Sequence, residues 1–270
     1  MSDRAERDTV SDHGRRPGSR DGDIQAVARC AQLLRLVARN SSVRASDVEA
    51  GLGLQRSTAH RYLASMANSG LIERGENGAF GPGPLAVHLG AVAMRAARVI
   101  DVATPSMEDL AADAHETVVL SLWGGSGAVV TRVSEDASRL VNTSVREGSE
   151  LPLHAAQSQV FLAHLPDREQ VDRLVATQSE HIRHELKASM ERVLRTGFGD
   201  QAMVVQGIRT VAAPVFDSRG VVCASVALVG TSDSLASGPD SHLWRALDTT
   251  AQRISARLGH VRAAPSISPD

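Results

Sequence analysis

The thirteen residues Gly51-Leu52-Gly53-Leu54-Gln55-Arg56-Ser57-Thr58-Ala59-His60-Arg61-Tyr62-Leu63 restrict the fold of this 270-residue chain more than any other stretch. Two glycines permit a sharp turn, and Leu52 and Leu54 anchor it on apolar surface. A helix is predicted from Gln55 to Asn68, ended by Ser69-Gly70. Ala59, Leu63 and Met66 recur on one of its faces at helical spacing. Gln55, Arg56, Ser57, Thr58, His60 and Arg61 crowd its N-terminal half.

The flanks give this segment its meaning. Upstream, Asp23 is placed to cap a helix to Asn40 whose inward positions are Val27, Cys30, Leu33, Leu34 and Val37. Ser46 is placed to cap a second, short helix around Val48. Downstream, Leu71–Arg74 reads as a strand, Gly75 to Gly78 as a turn and Ala79-Phe80 as the return strand. Three helices followed by a small hairpin make a winged helix-turn-helix. In that motif the N-terminal half of the third helix enters the major groove of double-stranded DNA. Arginine can hold guanine there and glutamine adenine. Ser57, Thr58 and the free N–H groups of the first turn suit phosphate oxygens. Arg74 is expected to reach the backbone or minor groove from the wing. An ordinary surface helix would show the same polar face, but the helix pair, the glycine turn and the hairpin together favour DNA. Tyr62, the only tyrosine, sits beside Leu63 and reads as core packing.

Charge is distributed accordingly. Residues 23–98 hold nine Arg and five acids, and residues 99–270 hold fifteen basic residues and twenty-one acids. A basic front suits contact with a polyanion, although so small an asymmetry also arises by chance. Residues 1–22 are too polar to bury a core and read as a tail. Cys30 and Cys223, the two cysteines, each lie in apolar stretches and read as small core residues, neither a disulfide nor a metal site. No apolar run is long enough to cross a membrane, and the charged N-terminus carries no secretory leader, so the cytoplasm is expected.

Gly81-Pro82-Gly83-Pro84 reads as a hinge and Leu85–Arg98 as a helix with few charges, whose apolar surface (Leu85, Val87, Leu89, Val92, Met94) needs a partner such as a second subunit. Pro105 is expected to open the next helix, capped by Thr104. Strands are predicted at Val118–Leu122, Ala128–Val133, Leu140–Arg146, Ile208–Val215 and Val221–Val229. Helices are predicted at Ala156–His164, after Asp167, up to Gly197 and over Ser241–Leu258. Antiparallel hairpins with grouped helices indicate an α+β domain.

Enzyme readings find little support. There is no His-Glu-x-x-His, no cysteine pair and no Gly-x-Ser-x-Gly. Gly124-Gly125-Ser126-Gly127 lacks the Lys-Ser/Thr sequel of a phosphate loop and reads as a hairpin turn. His181 and His184 lie in a charged helix start, a solvated face more than a metal site. His154 reads as a capping or packing histidine. No catalytic residue, metal or cofactor is assigned.

The chain resembles the isocitrate-lyase-regulator (IclR) family of bacterial transcription factors. The resemblance rests on Ile24–Arg29, Gly53–Leu63, Ser69–Ile72, Leu151-Pro152-Leu153-His154-Ala155, Gly197-Phe198, Gly207-Ile208 and Ala212–Asp217, and spans about Asp23 to Gly259. It implies a GAF-like, effector-binding and dimerising second domain, and dimers or tetramers on pseudo-palindromic operators. The layout is then a tail (1–22), a winged helix-turn-helix (23–83), a linker helix (84–99), an effector domain (100–260) and a second tail (261–270). The resemblance also implies an effector pocket between Leu151–Phe161, the Asp200–Gly207 loop and the Val221–Val229 strand, with Gln157, Ser158, Asp200, Thr210, Ala227 and Val229 as candidate contacts. This chain departs from the family pattern there. Ala227 and Val229 stand where ligand-binding members often have serines, Thr210 where they often have cysteine, and the segment after the His-Ala motif, which in the family usually carries a Gly-Lys pair, reads Ala156-Gln157-Ser158-Gln159-Val160-Phe161 and is about one residue short. Gln201 is a further polar candidate. Such a lining suits a neutral, largely apolar effector; the alternative is a pocket that has filled in and answers to no small molecule. The reading is a sequence-specific regulator, a repressor in the first instance.

Overall fold

The computed structural model describes residues 24–96, 98–136, 145–202, 207–236 and 238–261. The expected tails, the Asp23 cap and most of the strand expected over Leu140–Arg146 therefore lie outside the described residues; Val145 and Arg146 belong to no strand. The chain divides into two compact units, Met1–Ala86 and Val87–Asp270.

In the first unit α1 (Gln25–Asn40), α2 (Ala45–Leu52) and α3 (Arg56–Asn68) precede a hairpin of β1 (Ile72–Arg74) and β2 (Phe80–Pro82). Its core is Leu33, Val37, Val43, Val48, Ala59, Leu63, Met66 and Ile72. Each buried Leu, Val, Ile or Met among them contributes about 1.5–3 kcal/mol. Val27 does not join it and is 64% exposed. The N-cap of α2 is Arg44, whose N–H donates to the carboxylate of Asp47 in the first turn at 2.7 Å; Ser46 is not the cap and already lies inside the helix. Gly53 closes α2 at φ +60°, a left-handed conformation that glycine adopts without penalty.

Gly81-Pro82-Gly83-Pro84 is not a hinge. Gly81 and Pro82 complete β2, Gly83 N–H donates to the Leu71 carbonyl at 3.0 Å, and Pro84 starts α4 (Pro84–Ala96). A Cβ at Gly83 would run into the Gly70 carbonyl oxygen and the Ile72 backbone, so only glycine fits.

The second unit carries α5 (Val99–Ala114), β3 (Thr117–Trp123), β4 (Ala128–Ser134), α6 (Ala156–His164), α7 (Arg168–Ala176), α8 (Glu180–Thr196), β5 (Gly199–Ala202), β6 (Ile208–Phe216), β7 (Val222–Thr231) and α9 (His242–Arg257). Pro105 lies inside α5, which starts six residues earlier, and Thr104 is no cap: its hydroxyl donates to the Ile100 carbonyl at 2.8 Å. The five strands form one antiparallel sheet in the order β4-β3-β7-β6-β5. Strand alternation divides its side chains. Val118, Leu120, Val211, Ala213, Val226 and Leu228 join α5 and α9 in the main core. Ala212 and Ala227 face Ala156 and Val160 of α6.

Candidate DNA-reading surface and ligand cavity

On α3, Ala59, Leu63 and Met66 are 0–2% exposed and fix the helix on the first unit. Gln55, Arg56, Ser57, His60 and Arg61 are exposed and Thr58 is half-buried. Gln55 is the N-cap residue, and its side chain bonds nothing in the helix, which leaves the amide available to a base edge. Tyr62 packs against the core. The wing is tied back at its base: Val43 and Phe80 exchange backbone hydrogen bonds at 2.9 and 2.8 Å. Asn77 accepts from the Ala79 N–H at 3.0 Å, and Gly78 turns the chain at φ +76°. The Arg74 guanidinium lies over the Phe80 ring, 5.9 Å from its centre. The wing carries Glu73 and Glu76 as well, so Arg74 and the backbone N–H groups are what it can offer a phosphate.

In the second unit a cavity of about 230 Å³ opens between the sheet and the entry to α6. Its apolar walls include Val119, Val145, Leu151, Ala156 and Val229, and its polar groups are His154, Gln157, Gln201 and Thr210. Its volume exceeds the ~150 Å³ at which an apolar cavity already holds a benzene-sized ligand. Gln157 is 2% exposed, and its amide donates to the carbonyls of Val119 and Ser225 at 3.1 and 3.2 Å, joining β3 to β7 from beneath α6.

Three expected contacts lie elsewhere. Ser158 is wholly buried; its hydroxyl accepts from the Ala128 N–H at 3.1 Å and ties α6 to β4. Ala227 is sealed under α6. Asp200 accepts two hydrogen bonds from Arg209, at 2.8 and 2.7 Å, and Arg209 in turn lies 5.6 Å from the centre of the Trp244 ring. Asp200 instead borders a second cavity of about 340 Å³, walled also by Gln159, Glu185, Ser189 and Arg192. His154 and Gln201 line both cavities. His154 caps nothing; the α6 N-cap is Ala155. Arg192 and Gln159 escaped the sequence reading. The only signal was the spacing Glu185, Ser189, Arg192, one face of α8.

Among the described residues, no three His, Cys, Asp or Glu gather as a metal site, and no helix is long and apolar enough to cross a membrane.

Comparison with known proteins decides the family. Residues 26–76 match the IclR helix-turn-helix domain, and residues 91–256 match the C-terminal domain of the bacterial transcriptional regulator IclR. The chain belongs to the IclR family. It is 31% identical to the HTH-type transcriptional regulator Rv1719 of Mycobacterium tuberculosis over 79% of this chain and 83% of that one. It is 24% identical to the transcriptional repressor IclR of Escherichia coli, covering 89% and 92% of the two chains. The crystal structure of Pseudomonas aeruginosa HmgR superimposes with a TM-score of 0.61 at 27% identity, covering 88% of this chain and all of that one. This IclR-family protein is thus a DNA-binding transcriptional regulator and not an enzyme.

Proposed function

We propose that this IclR-family regulator is a cytoplasmic repressor that grips a pseudo-palindromic operator as a homodimer and changes its hold when a largely apolar small molecule fills the 230 Å³ cavity. The observation that carries the DNA half is α3, whose polar N-terminal half is exposed while Ala59, Leu63 and Met66 anchor its other face. Gln55, Arg56 and Arg61 read bases; Ser57, Thr58, His60 and Arg74 hold phosphates. Residues 84–99 act as the linker between the DNA-binding and effector domains, the second of which is GAF-like. Repression is supported by the names of relatives such as the E. coli repressor. An effector is supported by the open cavity, where Gln157, Gln201, Thr210 and Val229 meet the ligand. Fluorescence anisotropy with DNA fragments flanking the gene tests the reading. Saturable binding that survives excess unrelated DNA is expected; binding equal on all sequences overturns it.

A further inference from the structure

The 230 Å³ cavity has His154 and Gln201 in its lining. The same two side chains form a wall of the 340 Å³ cavity, where the chemistry changes. There the α8 face presents Glu185, Ser189 and Arg192, and α6 presents Gln159. Two buried polar atoms in this wall have no hydrogen-bond partner: Arg192 Nε, a donor, and Gln159 Oε1, an acceptor.

The orientation of Gln159 is fixed by its own bonds. Its Nε2 donates to the His154 carbonyl at 2.7 Å and to Gln201 Oε1 at 3.3 Å, which leaves Oε1 as the orphan. Gln159 is 4% exposed, so bulk water does not serve that oxygen. The two carboxylates of this cavity have other partners: Asp200 accepts two hydrogen bonds from Arg209, and Glu185 lies 3.3 Å from His181 one turn earlier on α8. A buried guanidinium N–H and a buried amide oxygen left open are costly, and both are relieved by one ligand group of the right chemistry. An oxyanion is the strongest partner for a guanidinium, and a hydroxyl hydrogen is what the amide oxygen lacks.

We infer that the effector spans both cavities: an apolar body beside Val119, Leu151 and Val229, and a head made of a carboxylate with an adjacent hydroxyl, the carboxylate on Arg192 and the hydroxyl donating to Gln159. This rests on the reading of the apolar cavity as an effector site and adds to it a head-group site on α8. It also separates this chain's ligand from very small acids, which would fill the head-group site and leave the apolar walls bare.

Isothermal titration of the full-length protein with 3-phenyllactate, 3-phenylpropanoate and 3-phenyllactamide tests it. Phenyllactate binds tightest. Removing the hydroxyl weakens binding several-fold, and replacing the carboxylate by the amide weakens it at least tenfold. Arg192→Met erases the acid–amide difference while the amide binds as before, and Arg192→Lys restores part of it; circular dichroism melts confirm that both variants fold. If acid and amide bind alike and Arg192→Met changes neither, the head-group site falls and the apolar effector site stands. If none of the three binds at millimolar concentration, both fall.

Discussion

Arg56 and Arg61 stand on the exposed side of α3 while Leu63, within the same turn as Arg61, is 1% exposed. Arg56→Ala is expected to cost ~1–3 kcal/mol of operator affinity and to relax base preference at one position in each half-site, measured by anisotropy on a set of single-base operator variants. Unchanged affinity for Arg56→Ala and Arg61→Ala together would remove α3 from the interface. His164 offers a test of stability. Burial, and then the nearby Arg168, lower its pKa from 6.5, and the ring meets Phe216 edge-on with centres 5.3 Å apart. The unfolded chain accepts a proton below about 6.5 that the folded imidazole resists, so stability present above that pH is lost as pH falls. Denaturant midpoints measured from about pH 7.5 to 5.5 should fall less steeply in His164→Gln than in the parent; parallel slopes would assign the loss to other groups. Cys223 is a third residue with a distinct chemistry. Burial pushes its thiol up to about 11, and its Sγ lies 3.5 Å from the Val215 carbonyl. In a Cys30→Ser background, alkylation at pH 8 should therefore be slow and accelerate with each unit of pH up to that value. Fast labelling of folded protein at pH 8 would contradict the burial.

Elements differ in how much their local residues determine them. Deleting Gly75–Gly78 removes the wing turn and should weaken binding to all DNA sequences about equally, as the loss of a phosphate contact does; a loss confined to the operator would make the wing a base reader. Gly83→Ala forces a methyl against the Gly70 and Ile72 backbone, an overpacking that costs ~1–3 kcal/mol and is read as a lower melting temperature. Most helices and both long hairpins were legible because their apolar periodicity is strong, as in Leu33 with Val37 and Ala59 with Leu63. The start of α5 was misread because Pro105 looks like a helix opener, although Val99, Ala103, Met107 and Leu110 carry the helical spacing across it. The four residues of β5 have no strand pattern of their own, and pairing with β6 is what makes them a strand. The hinge expected at Gly81–Pro84 failed for a related reason: glycines that look free in sequence are held by backbone contact. In the candidate site, Gln157, Thr210 and Val229 line the 230 Å³ cavity. Ser158 does not, because one residue along a helix turns a side chain from cavity to core, and Ala227 does not, because α6 covers it although it shares a face of β7 with Val229. Arg192 could not be read locally, since its role depends on what α6 sets opposite it.

At the scale of the whole molecule, α4 begins in the first unit and continues into the second, and Val87 and Leu89 on it are 61% and 58% exposed in the isolated chain. Met94 falls outside the described side chains. Exposed apolar groups call for cover, and the proposed homodimer would supply it from a second copy by two-fold symmetry. The parent should sediment as a dimer or larger at micromolar concentration, and Val87→Glu with Leu89→Glu should shift it towards monomer with a loss of operator affinity. A monomeric parent that binds its operator would refute the proposal. If an effector couples to DNA, the coupling is reciprocal: whatever factor it removes from operator affinity, the operator removes from effector affinity. A Cβ on Gly199 would fall onto the Ala156 carbonyl oxygen, so β5 and the first residue of α6 meet backbone to backbone. At that point the frame of the recess is set backbone to backbone, while Val119, Thr210 and Val229 line its walls. Descendants of this chain can exchange those three for new ligands without redrawing the frame, and a library aimed at a new sensor belongs at 119, 210 and 229, with 199 left as glycine.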